Sequence, residues 1–81
     1  MNKSKAISLV VEELDRATSL YVPFHSGYEG YAVILEELDE LWDDVRMAKS
    51  FQDRRAGYKR EATQVAAMAL RFLVDLVDDE L

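Results

Sequence analysis

Apolar positions recur along this chain at helical spacing, and no stretch alternates with the two-residue period of a strand. Ile7, Val10, Val11, Leu14, Thr18 and Tyr21 share one face of a first helix expected from about Lys5 to Leu20. Pro23 ends it, because the residue before a proline avoids the helical region. Val22 to Gly27 then reads as a connection. Ser26 opens a second helix, with Glu29 at the S-x-x-E spacing of a capping box. Tyr31, Ile34, Leu35, Leu38, Leu41, Trp42 and Val45 form its apolar stripe, while Glu36, Glu37, Asp39, Glu40, Asp43 and Asp44 make the opposite face acidic. Lys49 to Tyr58 is basic, and Gly57 is expected to break or bend the chain there. A third helix is expected from about Lys59 to Asp78, and between Ala62 and Val74 its only charged residue is Arg71.

These elements predict a single all-α domain over residues 1–81, a three-helix hairpin or bundle. A third helix apolar nearly all round needs cover on more than one side. Three short helices leave part of that cover to a second copy, so a homodimer or homotetramer is expected. Alanines 62, 66, 67 and 69 would allow close approach of helices. Asp78 to Leu81 is expected to be a frayed, solvated end.

Composition narrows the function classes. At 81 residues the core is thin, and with no cysteine there are no disulfides, thiolate metal sites or cysteine nucleophiles. Ile7 to Val11 is too short for a signal peptide core, and no apolar run approaches the ~20 residues that span a bilayer. A cytoplasmic location without a membrane partner is therefore expected. The formal net charge of −6 argues against direct nucleic-acid binding. The charge is uneven, however: residues 46–60 hold Arg46, Lys49, Arg54, Arg55, Lys59 and Arg60 against Asp53 alone. Such a segment could hold a phosphate or simply suit a helix end.

The chemistry-bearing residues are acids. Glu37 and Glu40 are neighbours on one helix surface, Asp44 continues their ridge, and Glu37 borders the apolar stripe. Glu61 falls inside the apolar sector of the third helix, among Val65, Met68 and Phe72. A carboxylate aimed at a core needs a partner, a hydrogen bond or a metal. If the second and third helices pair antiparallel, Glu61 lies beside Glu37 and Glu40, and three acids suit a hard cation such as Mg²⁺. The alternatives are a solvated acidic face and a pairing of Glu61 with Lys59, Arg60 or Arg71. His25 stands in the loop as a possible base or phosphate contact, or as an exposed loop residue. One histidine builds no serine–histidine–acid triad, and no P-loop or Rossmann glycine pattern occurs.

The segments E-E-L-D-E-L (Glu36 to Leu41) and R-E-A-T-Q-V (Arg60 to Val65) resemble the two halves of the MazG-like all-alpha nucleoside triphosphate pyrophosphohydrolases. That family carries E-x-x-E on one helix and E-x-x-D on the next. The resemblance runs from about Gly27 to Leu76, with the flavour of short phage or prophage members: H-x-G-x-E-G-Y-A-V-I at the start and Q-V-A-A-M-A-x-R-F later. It implies a MazG-like fold, dimeric or tetrameric assembly, and cleavage of (d)NTP to (d)NMP and pyrophosphate. It also implies Mg²⁺, or Mn²⁺, held by Glu37, Glu40 and Glu61 as the catalytic acids. Lys59, Arg60 and Arg71, with His25, are the candidate triphosphate contacts. The chain departs from the pattern at Gln64, which stands where the family has aspartate. Glutamine can ligate through its carbonyl oxygen but adds no charge. The site could then recruit Asp44, or be a degenerate one in a non-catalytic nucleotide-binding relative or a helical interaction protein.

Overall fold

The computed structural model describes residues 1–47 and 50–79. Three helices account for nearly all of them: α1 (Lys3–Leu20), α2 (Gly27–Met47) and α3 (Phe51–Leu76). No strand occurs among the described residues, and no helix is long and apolar enough to cross a membrane. Lys49, Glu80 and Leu81 lie outside the described residues.

Each helix starts at a polar side chain that meets an otherwise unpaired backbone N–H. Asn2 accepts from the N–H of Lys5 at 2.8 Å, Ser26 from that of Glu29 at 3.2 Å, and Ser50 from that of Asp53 at 3.0 Å. The expected capping box is shifted by one residue. The Glu29 carboxylate accepts from the N–H of His25 at 3.1 Å rather than from that of Ser26. This holds Glu29 below the usual carboxylate range, through that backbone bond first and the His25 side chain second.

α3 begins eight residues earlier than expected and runs unbroken through Gly57. The glycine serves a close approach instead of a break. A Cβ there would lie 2.7 Å from Oδ2 of Asp44 on α2. Gly30 plays the same part at the other end of the hairpin, where a Cβ would lie 2.5 Å from the Phe72 ring.

α3 is the central element: α1 and α2 both pack on it and, among the described residues, not on each other. Ala17, Phe24, Ala67 and Met68 form the buried core, with Val10, Val33, Ile34, Phe72 and Leu76 packed around it. This arrangement rotates α1 from its expected orientation. Ile7 and Val11 are exposed, whereas Ala17 is 2% exposed in the same cluster as Ala67 at 0%. Two alanines let helix backbones approach closely, so small residues rather than the bulkiest face set the contact. On α2, Ile34 and Leu41 turn partly inward while the rest of the apolar stripe faces outward.

The α1–α2 connection is fastened to the last turns of α3. Arg71 donates to the carbonyl of Val22, stacks over the Phe24 ring at 4.1 Å and pairs with Asp75 at 3.4 Å. Asp75 in turn accepts from the N–H of Phe24 at 2.9 Å.

Candidate metal centre

Because α1 and α2 sit apart on α3, a cleft opens between them. A cavity of about 450 Å³ there is walled by Glu37 and Glu40 from α2, Glu61 and Gln64 from α3, and Glu13 and Arg16 from α1. Its size falls in the range of small-molecule pockets.

Three carboxylates converge on it. One oxygen each of Glu37, Glu40 and Glu61 lies within 4.8 Å of the others. The local reason is helix geometry: Glu37 and Glu40 are one turn apart on α2, and Glu61 comes from the apolar sector of the antiparallel α3. Glu61 is only 8% exposed, and Nε of Arg60 donates to it at 2.9 Å. Glu37 is half-buried, and its carboxyl is raised from 4.5 to about 7. Burial is the main cause, followed by the Glu40 charge, a hydrogen bond with Glu40, and the charges of Glu61 and Glu36. Near neutral pH, Glu37 thus still holds its proton in part. Arg60 faces Asp44 and Glu40 as well as Glu61, and its own affinity for a proton is raised, most by the bond to Glu61.

The remaining candidates are placed as follows. Asp44 stands outside the three-acid cluster, against Gly57 and 3.6 Å from Arg60. Gln64 borders the cavity, and its amide nitrogen donates to Glu13 at 2.8 Å. Arg60 and Arg71 line the cavity, but Arg71 is buried and engaged by the loop it fastens. Lys59 lines neighbouring grooves instead. His25 is exposed beside Glu29, away from the cavity.

Glu13 and Arg16 also line the cavity and were not among the candidates read from the sequence. Glu13 on α1 accepts from Nε of Arg16 and from Gln64, and both bonds hold it below the usual carboxylate range, Arg16 most. The i, i+3 spacing of Glu13 and Arg16 marks them as a helix-surface pair. It does not reveal that the pair faces Gln64, 51 residues along the chain. Compared with known protein families, characterised proteins and solved structures, the chain matches none.

Proposed function

We propose that the chain is a Mg²⁺-dependent nucleoside triphosphate pyrophosphohydrolase of the MazG-like type, splitting a ribo- or deoxyribonucleoside triphosphate into monophosphate and pyrophosphate. The observation that carries this reading is the convergence of Glu37, Glu40 and Glu61 on a cavity that Arg16 and Arg60 also line. The resemblance of Glu36–Leu41 and Arg60–Val65 to the two halves of that family supports it.

The donor set fits a hard divalent cation. It is all oxygen, it concentrates negative charge that protons only partly relieve, and it leaves one side open to the cavity for water and phosphate. Mn²⁺ would suit the same oxygens. A bound Mg²⁺ would polarise the scissile phosphate and make a coordinated water more acidic. Around it, Arg60 and Arg16 would neutralise phosphate oxygens, and the Glu13–Gln64 bond would hold the α1 wall against α3. In the overall hydrolysis a water oxygen would attach to the α-phosphorus, the bridging bond to the β-phosphorus would break with its electron pair leaving on pyrophosphate, and the proton of the water would pass to a carboxylate of the cleft or to solvent. The small core of the fold and the fastened α1–α2 loop keep the walls of the cleft in register.

Gln64 favours a second reading, a nucleotide-binding relative that does not hydrolyse. Its amide is committed to Glu13, so the position brings no charge to the cluster. Incubation with Mg²⁺ and a panel of ribo- and deoxyribonucleoside triphosphates separates the two. Monophosphate and pyrophosphate released by the wild type and absent in Glu37→Ala/Glu40→Ala is the expected result. Saturable nucleotide binding with no product from any substrate would replace the hydrolase with the second reading.

A further inference from the structure

The cleft differs in chemistry at its two ends, and all three helices give the same order along it. On α3 the wall residues are Glu61, Gln64, Met68 and Arg71, three and four apart on one face. From Glu61 to Arg71 the helix rises about 15 Å. On α2, Glu37 and Glu40 stand beside Glu61, whereas Val33 packs on the core cluster that holds Met68. On α1, Glu13 bonds Gln64, and Tyr21 adjoins Val22, whose carbonyl Arg71 holds. The acids and Arg60 therefore occupy one end. Val33, Tyr21 and Met68 wall the other, with the Arg71 guanidinium among them.

Arg71 is the unusual member of that end. It is 6% exposed, and three of its sides are engaged: Nη2 donates to the Val22 carbonyl, Nε lies 3.4 Å from Asp75, and the flat face covers the Phe24 ring. Among the described residues Nε has no hydrogen-bond partner even so. Val22, Phe24 and Asp75 do not line the cavity, whereas Met68 does, and Nη1 meets its sulfur at 4.0 Å. The Nη1 edge is therefore the one that borders the cavity. A thioether is a weak acceptor, and Nη1 carries two N–H groups. A buried charged donor satisfied so poorly is costly, and a ligand oxygen placed there would offset the cost. The surroundings select the kind of oxygen. Asp75 already neutralises Arg71, so a phosphate would bring excess negative charge among apolar walls. The carbonyl of a flat heterocycle adds no charge, and Tyr21 and Met68 suit the faces of its ring.

We propose, resting on the nucleotide reading above, that this end of the cleft is the base subsite and that Nη1 of Arg71 donates to an exocyclic oxygen of the base. Guanine and hypoxanthine carry that oxygen at position 6, thymine and uracil at position 4; adenine and cytosine present an amino donor instead. An amino group opposite Arg71 sets donor against donor and leaves both unpaired. The substrates are then nucleotides of keto bases, in preference to those of amino bases. Arg60 serves the phosphates, and Arg71, expected from the sequence to contact the triphosphate, reads the base.

Calorimetric titration of the wild type with α,β-methylene nucleotide analogues, which resist cleavage, tests the proposal in Mg²⁺ at pH 8. The analogues of UTP and CTP match in size and differ in the keto or amino edge, as do those of ITP and ATP. The keto member of each pair is expected to bind roughly tenfold tighter or more. Tyr21→Ala should weaken all of them and keep both ratios, whereas Arg71→Lys should bring both ratios near one. Because Arg71→Lys can fail to fold, methionine-methyl NMR of the wild type supplies a second readout. Of the three methionines only Met68 lines this cavity. Its signal, identified by its loss in Met68→Leu, should move with the UTP analogue while those of Met1 and Met47 stay. Binding with both ratios near one, or with the Met68 signal unmoved, overturns the base subsite and leaves the nucleotide reading standing. No binding of any analogue overturns both.

Discussion

Replacing Glu37 with glutamine should stabilise the metal-free protein at alkaline pH and leave it unchanged at acid pH. The wild-type carboxyl holds its proton up to about pH 7 in the folded chain, against an ordinary value of 4.5. Between those values the folded state binds the extra proton, so stability falls as pH rises from about 4.5 through 7 and is level above. The full shift corresponds to about 3 kcal/mol. Glu37 opens onto the water of the cleft, and screening there reduces the effect to on the order of 1–2 kcal/mol. The substituted glutamine keeps the shape and its amide can donate to Glu40 as the protonated Glu37 carboxyl does, so the variant escapes the loss. Thermal melts of wild type and Glu37→Gln at pH 5 and pH 8, at one protein concentration and with chelator present, measure the difference directly. The variant should gain roughly 5–10 °C on the wild type between the two pH values. Magnesium at a hundred times its dissociation constant should return about 2.7 kcal/mol to the wild type at pH 8 and nothing to the variant. Melting temperatures of the two proteins that run parallel from pH 5 to pH 8 would mean that Glu37 binds no extra proton in the folded chain.

Two further substitutions probe the frame around the cleft. Asp75→Asn retains an acceptor for the Phe24 N–H but strips Arg71 of its buried counter-charge, and urea denaturation should show a loss of about 3 kcal/mol; a loss below about 1 kcal/mol would mean that the loop is not fastened by this pair. Gly30→Ala drives a methyl group into the Phe72 ring, an overpacking cost of about 1–3 kcal/mol that exceeds the gain of up to ~1 kcal/mol in helix propensity. The same change at Gly27, where the nearest ring atom stands at 3.8 Å, should be close to neutral, and equal melting temperatures for the two variants would contradict this packing.

Periodicity and capping chemistry carried the three helices, because Pro23 and Ser26 act through their immediate neighbours. Glu61 was legible for a different reason: an acid inside an apolar sector must be resolved by something, and here it meets Glu37, Glu40 and Arg60. What escaped the sequence depends on close approach and on long-range pairing. Alanine adds little to an apolar stripe, so Ala17 did not announce that α1 packs through it rather than through Ile7 and Val11. A glycine reads as a break, yet Gly57 is a place where α2 comes near. Arg71 reads as a spare cation for a phosphate until its bonds to Val22 and Asp75, and its stacking on Phe24, are seen. The apolar girth of α3 pointed to a second copy around that helix. Within the chain α1 and α2 pack on part of it, and a further exposed apolar stripe lies on α2.

The claim on which the functional account stands is that Glu37, Glu40 and Glu61 hold a divalent cation together. Titration of Mn²⁺ into the purified chain at pH 8, followed by loss of the free-ion electron paramagnetic resonance signal, tests it without any nucleotide. Saturable binding is expected, abolished by Glu61→Gln and intact in Asp39→Asn, on the exposed far side of α2. Wild-type protein that takes up no Mn²⁺, or binding that Glu61→Gln does not weaken, would contradict it.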